Sequence, residues 1–485
     1  MKQIAAYGST PKTLLLIMVI CCFTVAGLGA TGTWQDRHDQ LVARLHALVK
    51  AEGAFGPAYQ PLYHAALTWY EQWGGKPQHR VDDWMVPPED YATELADALE
   101  QGRNYFAESP GALLPLSFEK QMPDGKVARA NYWLTLPAGF PQKGRTFPLV
   151  VGLHGSGWLG HKISYVRKSR KDLSAGRVFT VTPINEGGTW QIDFLNAYLD
   201  ELLRMLPVDQ DHVYLEGHSL GAMATWEWAL NNPERFAAIS PRAGRGEPFR
   251  ASRLKYVPSW VIHGANDDVV PSGFSDQMVT ALQSCGASVK YSVLPDVAHN
   301  MPDDLDENEV VDWYLRQTRS HEPTPADPRD GLRLTSAGFS PWKIVTVPAA
   351  HLWKSASPVV LTDHDASVAA AQGLFLKLHN LGQLADSPIL EKLDRKTNLA
   401  TLWLATPKTL RTGNKADASV IERSAAQYVR FYYRGETPQA LAHLAAITAE
   451  VEAAGHHLSD ELWIIPLTLW PETVGYIAEY RIEIK

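Results

Sequence analysis

Short apolar runs alternate with amphipathic helical patterns through the middle of the chain. Runs of strand length occur at Phe147–Leu153, 178–182, 213–215, 236–239, 260–262 and Val289–Leu294. The run Phe147–Leu153 is typical of a strand that is buried on both faces of a parallel sheet. Helical patterns separate the runs, as at residues 192–206 and 222–230. Strands that alternate with helices predict a doubly wound α/β sheet, with function at the carboxyl ends of its strands.

Helical periodicity dominates the segment from residue 34 to residue 108. Two apolar stripes occur there: Leu41, Leu45, Leu48 and Val49, and then Tyr91, Leu95, Leu99 and Tyr105. We interpret its tryptophans (Trp34, Trp69, Trp73 and Trp84) as anchors that pack the segment onto the body. A lid over a cleft is the alternative interpretation. From residue 113 the pattern becomes strand-like, and an Asp-Gly turn predicts a hairpin between 118–121 and 127–136.

A Pro-rich polar stretch at residues 317–331 marks a domain boundary by composition. Beyond it, strand, helix and strand patterns occur twice. They lie at 342–352, 367–381 and 399–405, and then at 428–433, 438–454 and two further strands. The last strand alternates apolar and polar residues from Val474 onwards. This pattern predicts a C-terminal α+β domain built from a duplicated β-α-β-β unit.

The chain begins with a segment that is typical of secretion signals. Residues 1–12 carry two lysines and no acid, residues 13–30 are almost wholly apolar, and Leu28, Gly29 and Ala30 form a passable cleavage site. A signal peptide over residues 1–30 predicts a secreted or periplasmic protein without stable membrane association after cleavage. An uncleaved membrane anchor is the alternative, because the run is about long enough to span a bilayer.

Composition narrows the possible functions. The chain has 485 residues, of which 45% are hydrophobic and 20% charged, which is enough for two or three domains. A net charge of −8 gives no electrostatic basis for nucleic-acid binding. No metal-ligand spacing and no phosphate-binding glycine loop occur, so we expect no metal and no cofactor. After signal cleavage Cys285 is the remaining cysteine, which excludes an intrachain disulfide.

The strongest chemical motif is G-x-S-x-G at residues 217–221. It follows the apolar strand at 213–215 and precedes the helical pattern at 222–230. A strand, a sharp turn and a helix are the context of a nucleophile elbow. Glycines two positions to either side of Ser219 avoid clashes between the strand and the helix. Ser219 is therefore the candidate nucleophile.

Two later strand ends provide the residues that an activated serine needs. Asp267 follows the strand at 260–262, and His299 follows the strand Val289–Leu294. Upstream, a His-Gly-Ser-Gly sequence at 154–157 follows Phe147–Leu153. The order serine, acid, histidine is that of an α/β-hydrolase triad, and the upstream loop stands where that fold places its oxyanion loop.

Residues from about 98 to 320 resemble the secreted α/β-hydrolases grouped with feruloyl and acetylxylan esterases, polyhydroxyalkanoate depolymerases and the "predicted peptidase" set. The resemblance is carried by residues 98–106, 148–157, 208–221, 233–238, 263–267 with 270–271, and 298–300. One departure is Leu220, where the secreted esterases more often have methionine, and this loosens the substrate assignment. The resemblance implies a catalytic domain (109–320). With the helical periodicity before it and the Pro-rich boundary after it, the prediction is a helical N-terminal segment (31–108) ahead of this domain and a linker (321–340) behind it.

The expected roles follow from serine hydrolase chemistry. A serine hydroxyl needs a neighbouring base, and His299 is expected to supply it. Asp267 is expected to accept the imidazole N–H and stabilise the imidazolium. Asp268 and Asp296 are alternative acids, but Asp267 fits the family spacing to residues 270–271 better. His154 and His263 stand in His-Gly turns and are interpreted as structural.

The sequence indicates the substrate-binding residues less clearly than the triad. The expected oxyanion donors are the backbone N–H groups of Leu220 and Ser156. Trp158 and Trp190 follow strand ends and are candidate substrate-binding residues, with core packing as the alternative. The basic run at 162–171 is interpreted as a solvated helical face, and attraction of an acidic substrate is the alternative.

Residues 341–485 are similar to GyrI-like effector-binding domains. Residues 428–438 and the closing hairpin at 461–485 carry this resemblance. It implies a concave, aromatic-lined pocket for a small molecule, with Glu461 facing it. An accessory domain with a purely structural role is the alternative.

Together these features predict a secreted serine hydrolase that cleaves a small-molecule or polymer-borne carboxylic ester through an acyl-enzyme. The preference for an ester follows from the family resemblance, because triad chemistry also cleaves peptides. The alternatives are a serine peptidase of the prolyl-oligopeptidase-like type, and a catalytically silent protein that binds a small molecule in its C-terminal domain.

Overall fold

The structure is a computed structural model. It describes residues 33–50, 58–73, 88–108, 114–121, 125, 127–156, 176–185, 189–302, 305–355, 358, 370, 373–374, 390–394, 397, 399–406, 420–435, 437–467 and 477–485. The predicted signal peptide and Trp158 lie outside these residues, as does most of the predicted helix at 367–381. In the described part of the chain, no helix combines the length and the apolar character that a bilayer crossing requires.

Among the described residues ahead of the first sheet, the helices are α1 (Trp34–Lys50), α2 (Gln60–Trp73), α3 (Pro88–Glu100) and α4 (Tyr105–Glu108). Their apolar stripes, including Leu45, Leu62 and Leu95, join the same core cluster as the sheet. Trp69 is buried there and packs edge-on against Tyr91, with ring centroids 5.7 Å apart. The N-terminal segment is therefore packed on the body through its helical stripes.

The first sheet consists of β1 (Leu114–Gln121), β2 (Val127–Thr135), β3 (Phe147–Leu153), β4 (Phe179–Pro183), β5 (Val208–His218), β6 (Ala238–Arg242), β7 (Ser259–Gly264) and β8 (Val289–Leu294). Their order is β1-β2-β4-β3-β5-β6-β7-β8. The pairs β1–β2 and β2–β4 are antiparallel, and the pairs from β4 to β8 are parallel. The predicted, mostly parallel α/β sheet is confirmed.

Helices cover both faces of this sheet: α5 (Ile192–Met205), α6 (Leu220–Asn231), α7 (Gly273–Ser284) and α8 (Glu307–Tyr314). Alternate residues of β3 point to opposite faces. Leu149 and Val151 join the cluster that includes residues of α5, α6 and α7, whereas Val150 joins the cluster of α8. Burial on both faces explains why Phe147–Leu153 has no polar alternation.

The second sheet consists of β9 (Lys343–Val347), β10 (Ala350–Lys354), β11 (Leu390–Asp394), β12 (Leu399–Thr406), β13 (Val420–Arg423), β14 (Ala426–Arg434), β15 (Leu458–Pro466) and β16 (Ile477–Ile484). Their order is β13-β10-β12-β11-β15-β16-β14-β9, and these pairings are antiparallel. Helix α9 (Thr437–Ala453) packs on one face through Leu444, Ile447 and Val451. The other face carries Trp403 and Trp463.

Candidate active site

The turn between β5 and α6 presents Ser219. Its backbone has φ +56° and ψ −120°, a conformation that is uncommon for a residue with a side chain. A Cβ added to Gly217 would lie 2.2 Å from the carbonyl oxygen of Gly221, and one added to Gly221 would lie 2.1 Å from that of Leu153. Both glycines are therefore required by the close approach of the strand, the helix and the β3 end.

The structure brings Ser219, His299 and Asp267 together. His299 Nε2 lies 2.8 Å from Ser219 Oγ, and His299 Nδ1 lies 2.8 Å from Asp267 Oδ2. Ser219 follows β5, Asp267 follows β7 and His299 follows β8. Because these strands are parallel members of one sheet, their carboxyl ends meet at the same edge.

The carboxylate of Asp267 is fully engaged in hydrogen bonds. Oδ1 accepts the backbone N–H groups of Val269 and Val270, at 2.9 and 2.8 Å. Oδ2 accepts His299 Nδ1 and also His263 Nε2, which lies 3.1 Å away. Burial alone would raise the pKa of Asp267, but the hydrogen bonds from the two histidines outweigh it and hold that pKa well below its usual range. Asp267 is therefore ionised at neutral pH.

The two alternative acids do not contact His299 in this way. Asp268 and Asp296 are exposed, and the imidazole Nδ1 bonds to Asp267 instead. Asp296 has a positive φ of 59° in the loop that carries His299, which places it at a turn. The geometry therefore selects Asp267 as the partner of His299.

His263 contacts Asp267 directly, which its position in a His-Gly turn does not predict. Its side chain is completely buried, and Nε2 lies 2.8 Å from the carbonyl oxygen of Val270 as well as near Asp267. Nδ1 lies 2.7 Å from Ser275 Oγ. His263 thus connects the acid to α7. The spacing of four residues between His263 and Asp267, directly after a strand, is the sequence signal for this contact.

The loop after β3 lies against Ser219. A Cβ on Gly155 would lie 3.4 Å from Ser219 Cβ, which is ordinary contact distance. Ser156 follows and is exposed. Leu220 is the first residue of α6, where a backbone N–H has no acceptor within the helix and the helix dipole favours negative charge. Both expected oxyanion donors therefore belong to segments that meet at Ser219.

His154 holds this loop in place. Its Nε2 accepts the backbone N–H of Asn185 at 2.9 Å, and its Nδ1 lies 2.7 Å from the carbonyl oxygen of Gly155. Trp190 packs edge-on against the His154 ring, at 4.9 Å between centroids, and is 5% exposed. These contacts favour support of the loop over direct substrate contact as the role of Trp190.

A buried charge cluster lies behind the elbow. Arg242, at the end of β6, bonds to Glu307 at 2.5 and 2.9 Å and to Glu216 at 3.0 Å. The carbonyl oxygen of Arg242 accepts the backbone N–H of Ser219 at 2.9 Å. Burial alone would lower the pKa of Arg242, but the two carboxylates outweigh it, so the guanidinium stays charged. Sequence reasoning missed this cluster because its members are far apart in the chain.

Within the described ranges, no group of three or more His, Cys, Asp or Glu side chains is arranged to hold a metal ion. The chemistry that these residues offer is nucleophilic attack by an alcohol, assisted by an imidazole and a carboxylate.

Comparisons with known proteins place this geometry in context. Residues 189–307 match the phospholipase/carboxylesterase family model. A bifunctional acetylxylan esterase/xylanase of Neocallimastix patriciarum is 25% identical over 206 residues, which are 38% of this chain and 30% of that protein. An uncharacterized peptidase of Bacillus subtilis is 22% identical over 278 residues, which are 47% of this chain and 41% of that protein. The chain thus spans less than half the length of either relative.

Part of the chain also superposes on solved structures, with low TM-scores. A thermostable esterase superposes with a TM-score of 0.38 at 24% identity, over 42% of this chain and 63% of that chain. An acylaminoacyl peptidase in complex with a chloromethyl ketone has a TM-score of 0.33 at 15% identity, over 46% of this chain and 44% of that chain. The family match and the sequence relatives support an α/β-hydrolase segment of the esterase or peptidase kind in the middle of the chain.

Proposed function

We propose that this protein is a serine hydrolase that cleaves a carboxylic ester through an acyl-enzyme intermediate. One observation carries the proposal: a continuous hydrogen-bonded chain from Asp267 through His299 to Ser219, with both bonds 2.8 Å long. In this chain Ser219 is the nucleophile, His299 the general base, and Asp267 the acid that orients the imidazole.

In the first step Ser219 Oγ attacks the ester carbonyl carbon while His299 Nε2 takes the hydroxyl proton. The imidazolium that forms is stabilised by Asp267, whose lowered pKa keeps it ionised throughout. The N–H groups of Leu220 and Ser156 receive the negative charge that develops on the carbonyl oxygen. Loss of one such donor typically costs about 3 kcal/mol of barrier.

Collapse of the tetrahedral intermediate completes acylation. The bond to the leaving alcohol breaks, and His299 Nε2 returns its proton to the alcohol oxygen. Water then attacks the acyl carbon, with His299 Nε2 taking its proton and the same two N–H groups as oxyanion donors. When this second intermediate collapses, the bond between the acyl carbon and Ser219 Oγ breaks, and His299 Nε2 returns the proton to Oγ. The products are the carboxylic acid, the alcohol and free Ser219.

The direct test is labelling with a fluorophosphonate probe, which reacts with an activated serine. The wild type should be labelled and Ser219→Ala should not. Ser284→Ala is a matched control, because Ser284 is exposed on α7 and bonds only locally, to Thr280. A well-folded wild type that resists labelling, or a Ser219→Ala variant that is labelled equally, would show that the proposal is wrong.

The choice between an ester and a peptide requires a substrate panel. The triad chemistry serves both, and the two sequence relatives bear the names of an esterase and of a peptidase. We propose the ester because feruloyl and acetylxylan esterases belong to the group that residues 98–320 resemble, and because the family model that matches residues 189–307 is that of phospholipases and carboxylesterases. Short- and long-chain p-nitrophenyl esters, feruloyl esters and peptides should be compared. Turnover of peptides alone would favour the peptidase alternative.

A second candidate function is binding of a small molecule by the second sheet, which we propose to be a GyrI-like domain over residues 341–485. A cavity of about 250 Å³ there is lined by residues that include Lys354, Lys392, Trp403 and Glu461. If the hydrolase body were silent, this cavity would be the candidate binding site. Ligand-dependent quenching of tryptophan fluorescence that Trp403→Phe removes, without any Ser219-dependent labelling, would favour this function.

The proposed location is outside the cytoplasm. It depends on residues 1–30 acting as a signal peptide, ahead of the helical segment 31–108, the catalytic domain 109–320 and the linker 321–340. N-terminal sequencing of the exported protein should find a start near Thr31. A mature protein that still begins at Met1 and remains with the membrane would favour the anchor alternative.

A further inference from the structure

His218 stands directly before the nucleophile and contacts the segment that carries the general base. Its Nε2 lies 2.8 Å from the backbone carbonyl oxygen of His299, and the centroids of the two imidazole rings are 5.0 Å apart. A carbonyl oxygen can only accept, so His218 Nε2 carries the hydrogen and donates it. The elbow is therefore hydrogen-bonded to the backbone of His299, whose side chain contacts Ser219.

The histidine loop is held on its other side by the strand that carries the acid. The backbone N–H of Asn266 donates to Val297 O at 2.9 Å, and that of Ala265 donates to Leu294 O at 2.9 Å. A Cβ on Gly264 would lie 2.3 Å from Val297 O, so the loop lies tightly against the end of β7. These contacts attach the loop to the end of β7, which is two strands away from β5 in the sheet. The bond from His218 is a direct contact between the loop and the elbow.

We propose that His218 is a positioning residue, which holds the backbone of His299 at the distance and angle that proton transfer from Ser219 needs. The inference rests on the proposed function and assigns to this residue a role in the same site. Proton transfer requires heavy atoms about 2.6–3.2 Å apart, and a misplacement of about 1 Å can cost on the order of 100-fold in rate. A second bond between the elbow and the loop therefore has a direct effect on turnover.

The contact between His218 and His299 is also compatible with the positive charge that His299 gains when it takes the serine proton. Burial lowers the pKa of His218 to about 4, and the bond to the His299 carbonyl only partly opposes this. His218 is therefore neutral at pH 7. A cation with its ring 5.0 Å from that of His299 would oppose formation of the imidazolium. The position requires a neutral N–H donor, which imidazole provides when it is shielded from water.

The oxyanion loop lies on the remaining side of His218. A Cβ on Gly155 would lie 3.6 Å from His218 Nδ1, which is ordinary van der Waals contact. The partly exposed side chain thus lies between the histidine loop and the oxyanion loop. A substitution of His218 must therefore keep a similar side-chain volume, so that the effect of losing the hydrogen bond can be distinguished from an effect on packing.

The test compares His218→Leu, which removes the donor at similar volume, with His218→Gln, whose amide N–H has a similar reach. For the Leu variant we expect kcat and the rate constant of fluorophosphonate labelling to fall roughly 10- to 100-fold. KM for a p-nitrophenyl ester should change little, because His218 acts through His299 and not on the substrate. The Gln variant should retain most of the wild-type kcat. Thermal unfolding of each variant measures whether the fold is kept.

The outcomes separate this inference from the proposed function. If the wild type is not labelled, the hydrolase proposal fails. If the wild type is labelled and the folded Leu variant reacts equally fast, the positioning role is wrong. The positioning role would also be wrong if kcat fell equally in His218→Leu and His218→Gln, or if KM rose in the Leu variant without a fall in kcat. Should the Leu variant fail to fold, His218→Met measures the same loss of the donor with a more adaptable side chain.

Discussion

The guanidinium of Arg242 forms two hydrogen bonds with the carboxylate of Glu307, although 65 residues separate them in the chain. A third bond reaches Glu216, which lies three residues before Ser219 on β5. The three side chains are at most 10% exposed. One buried cation thus joins β5, which leads to Ser219, the neighbouring strand β6 and the helix α8 that follows the His299 loop.

Replacing this cation should destabilise the protein strongly. Arg242→Met removes the cation that neutralises the buried carboxylates of Glu216 and Glu307, and breaking a buried ion pair typically costs about 3–5 kcal/mol. We expect a lower urea midpoint and a corresponding fall in the free energy of unfolding. The triple variant with Glu216→Gln and Glu307→Gln should recover much of the loss.

Arg316→Met is the matched control for that experiment, because Arg316 is an exposed arginine just after α8. A surface change of this kind usually stays within about 0.5 kcal/mol. If Arg242→Met unfolded at the same urea concentration as Arg316→Met, the cluster would contribute little to stability.

Asp267→Asn tests the assignment of the acid. The amide keeps the shape of the side chain but removes the negative charge and alters the tautomer that His299 adopts. For a triad aspartate this change typically lowers kcat by about 10⁴-fold. Ester hydrolysis and thermal unfolding should be measured together, since Asp267 also accepts backbone N–H groups of its turn.

Asp268→Asn provides the comparison, because Asp268 is the exposed neighbour of Asp267. We expect its kcat to stay close to that of the wild type. A large loss in Asp268→Asn together with a small one in Asp267→Asn would reverse the assignment.

The main strands of the first sheet were predictable because their apolar runs report burial directly. β3 and β8 begin and end where the sequence predicts, at Phe147–Leu153 and Val289–Leu294. The strand predicted at 236–239 instead runs over Ala238–Arg242. Its polar end is buried because Arg242 is neutralised by Glu307 and Glu216, and a hydropathy pattern cannot show a partner 65 residues away.

The candidate site was predictable only in part for the same reason. Ser219, Asp267 and His299 each follow a strand, so the strand order itself implies that they approach one another. The contacts of His218 and His263 depend on the path of loops that the sequence pattern does not describe. β5 likewise extends back to Val208 through polar residues, and its pairing with β3 is irregular there, between the pairs Phe147–Val208 and Leu149–Val213. A hydropathy pattern does not show such an irregularity.

Gly217→Ala should disrupt the elbow. The added Cβ would lie 2.2 Å from the carbonyl oxygen of Gly221 and 2.7 Å from Thr225 Oγ1, so backbone atoms must move. We expect loss of fluorophosphonate labelling and a lower melting temperature. Gly331→Ala is the control, because nothing lies within 4 Å of the Cβ position there. Normal labelling of Gly217→Ala would contradict the tight turn that the structure describes.

Asp327 should make the free energy of unfolding decrease as the pH falls into the acidic range. Its carboxylate accepts Arg250 Nε at 3.0 Å and Nη2 at 2.6 Å, which ties the segment before β9 to the body. Burial alone would raise its pKa, but the bonds from Arg250 and Arg329 lower it to about 2. Because the folded-state pKa is below that of the unfolded chain, this contribution is complete above about pH 4 and is lost as the pH falls towards 2.

Asp327→Asn should therefore destabilise the protein at pH 7 by on the order of 2 kcal/mol, since each unit of pKa shift corresponds to about 1.4 kcal/mol. The difference from the wild type should shrink steadily between pH 4 and pH 2, because the wild-type carboxylate is being protonated there. Urea unfolding at a series of pH values measures this difference. Asp330→Asn, at a nearby exposed position, should follow the wild-type curve throughout. A difference between Asp327→Asn and the wild type that is equally large at pH 7 and pH 2 would show that the loss comes from packing, and not from the charge of Asp327.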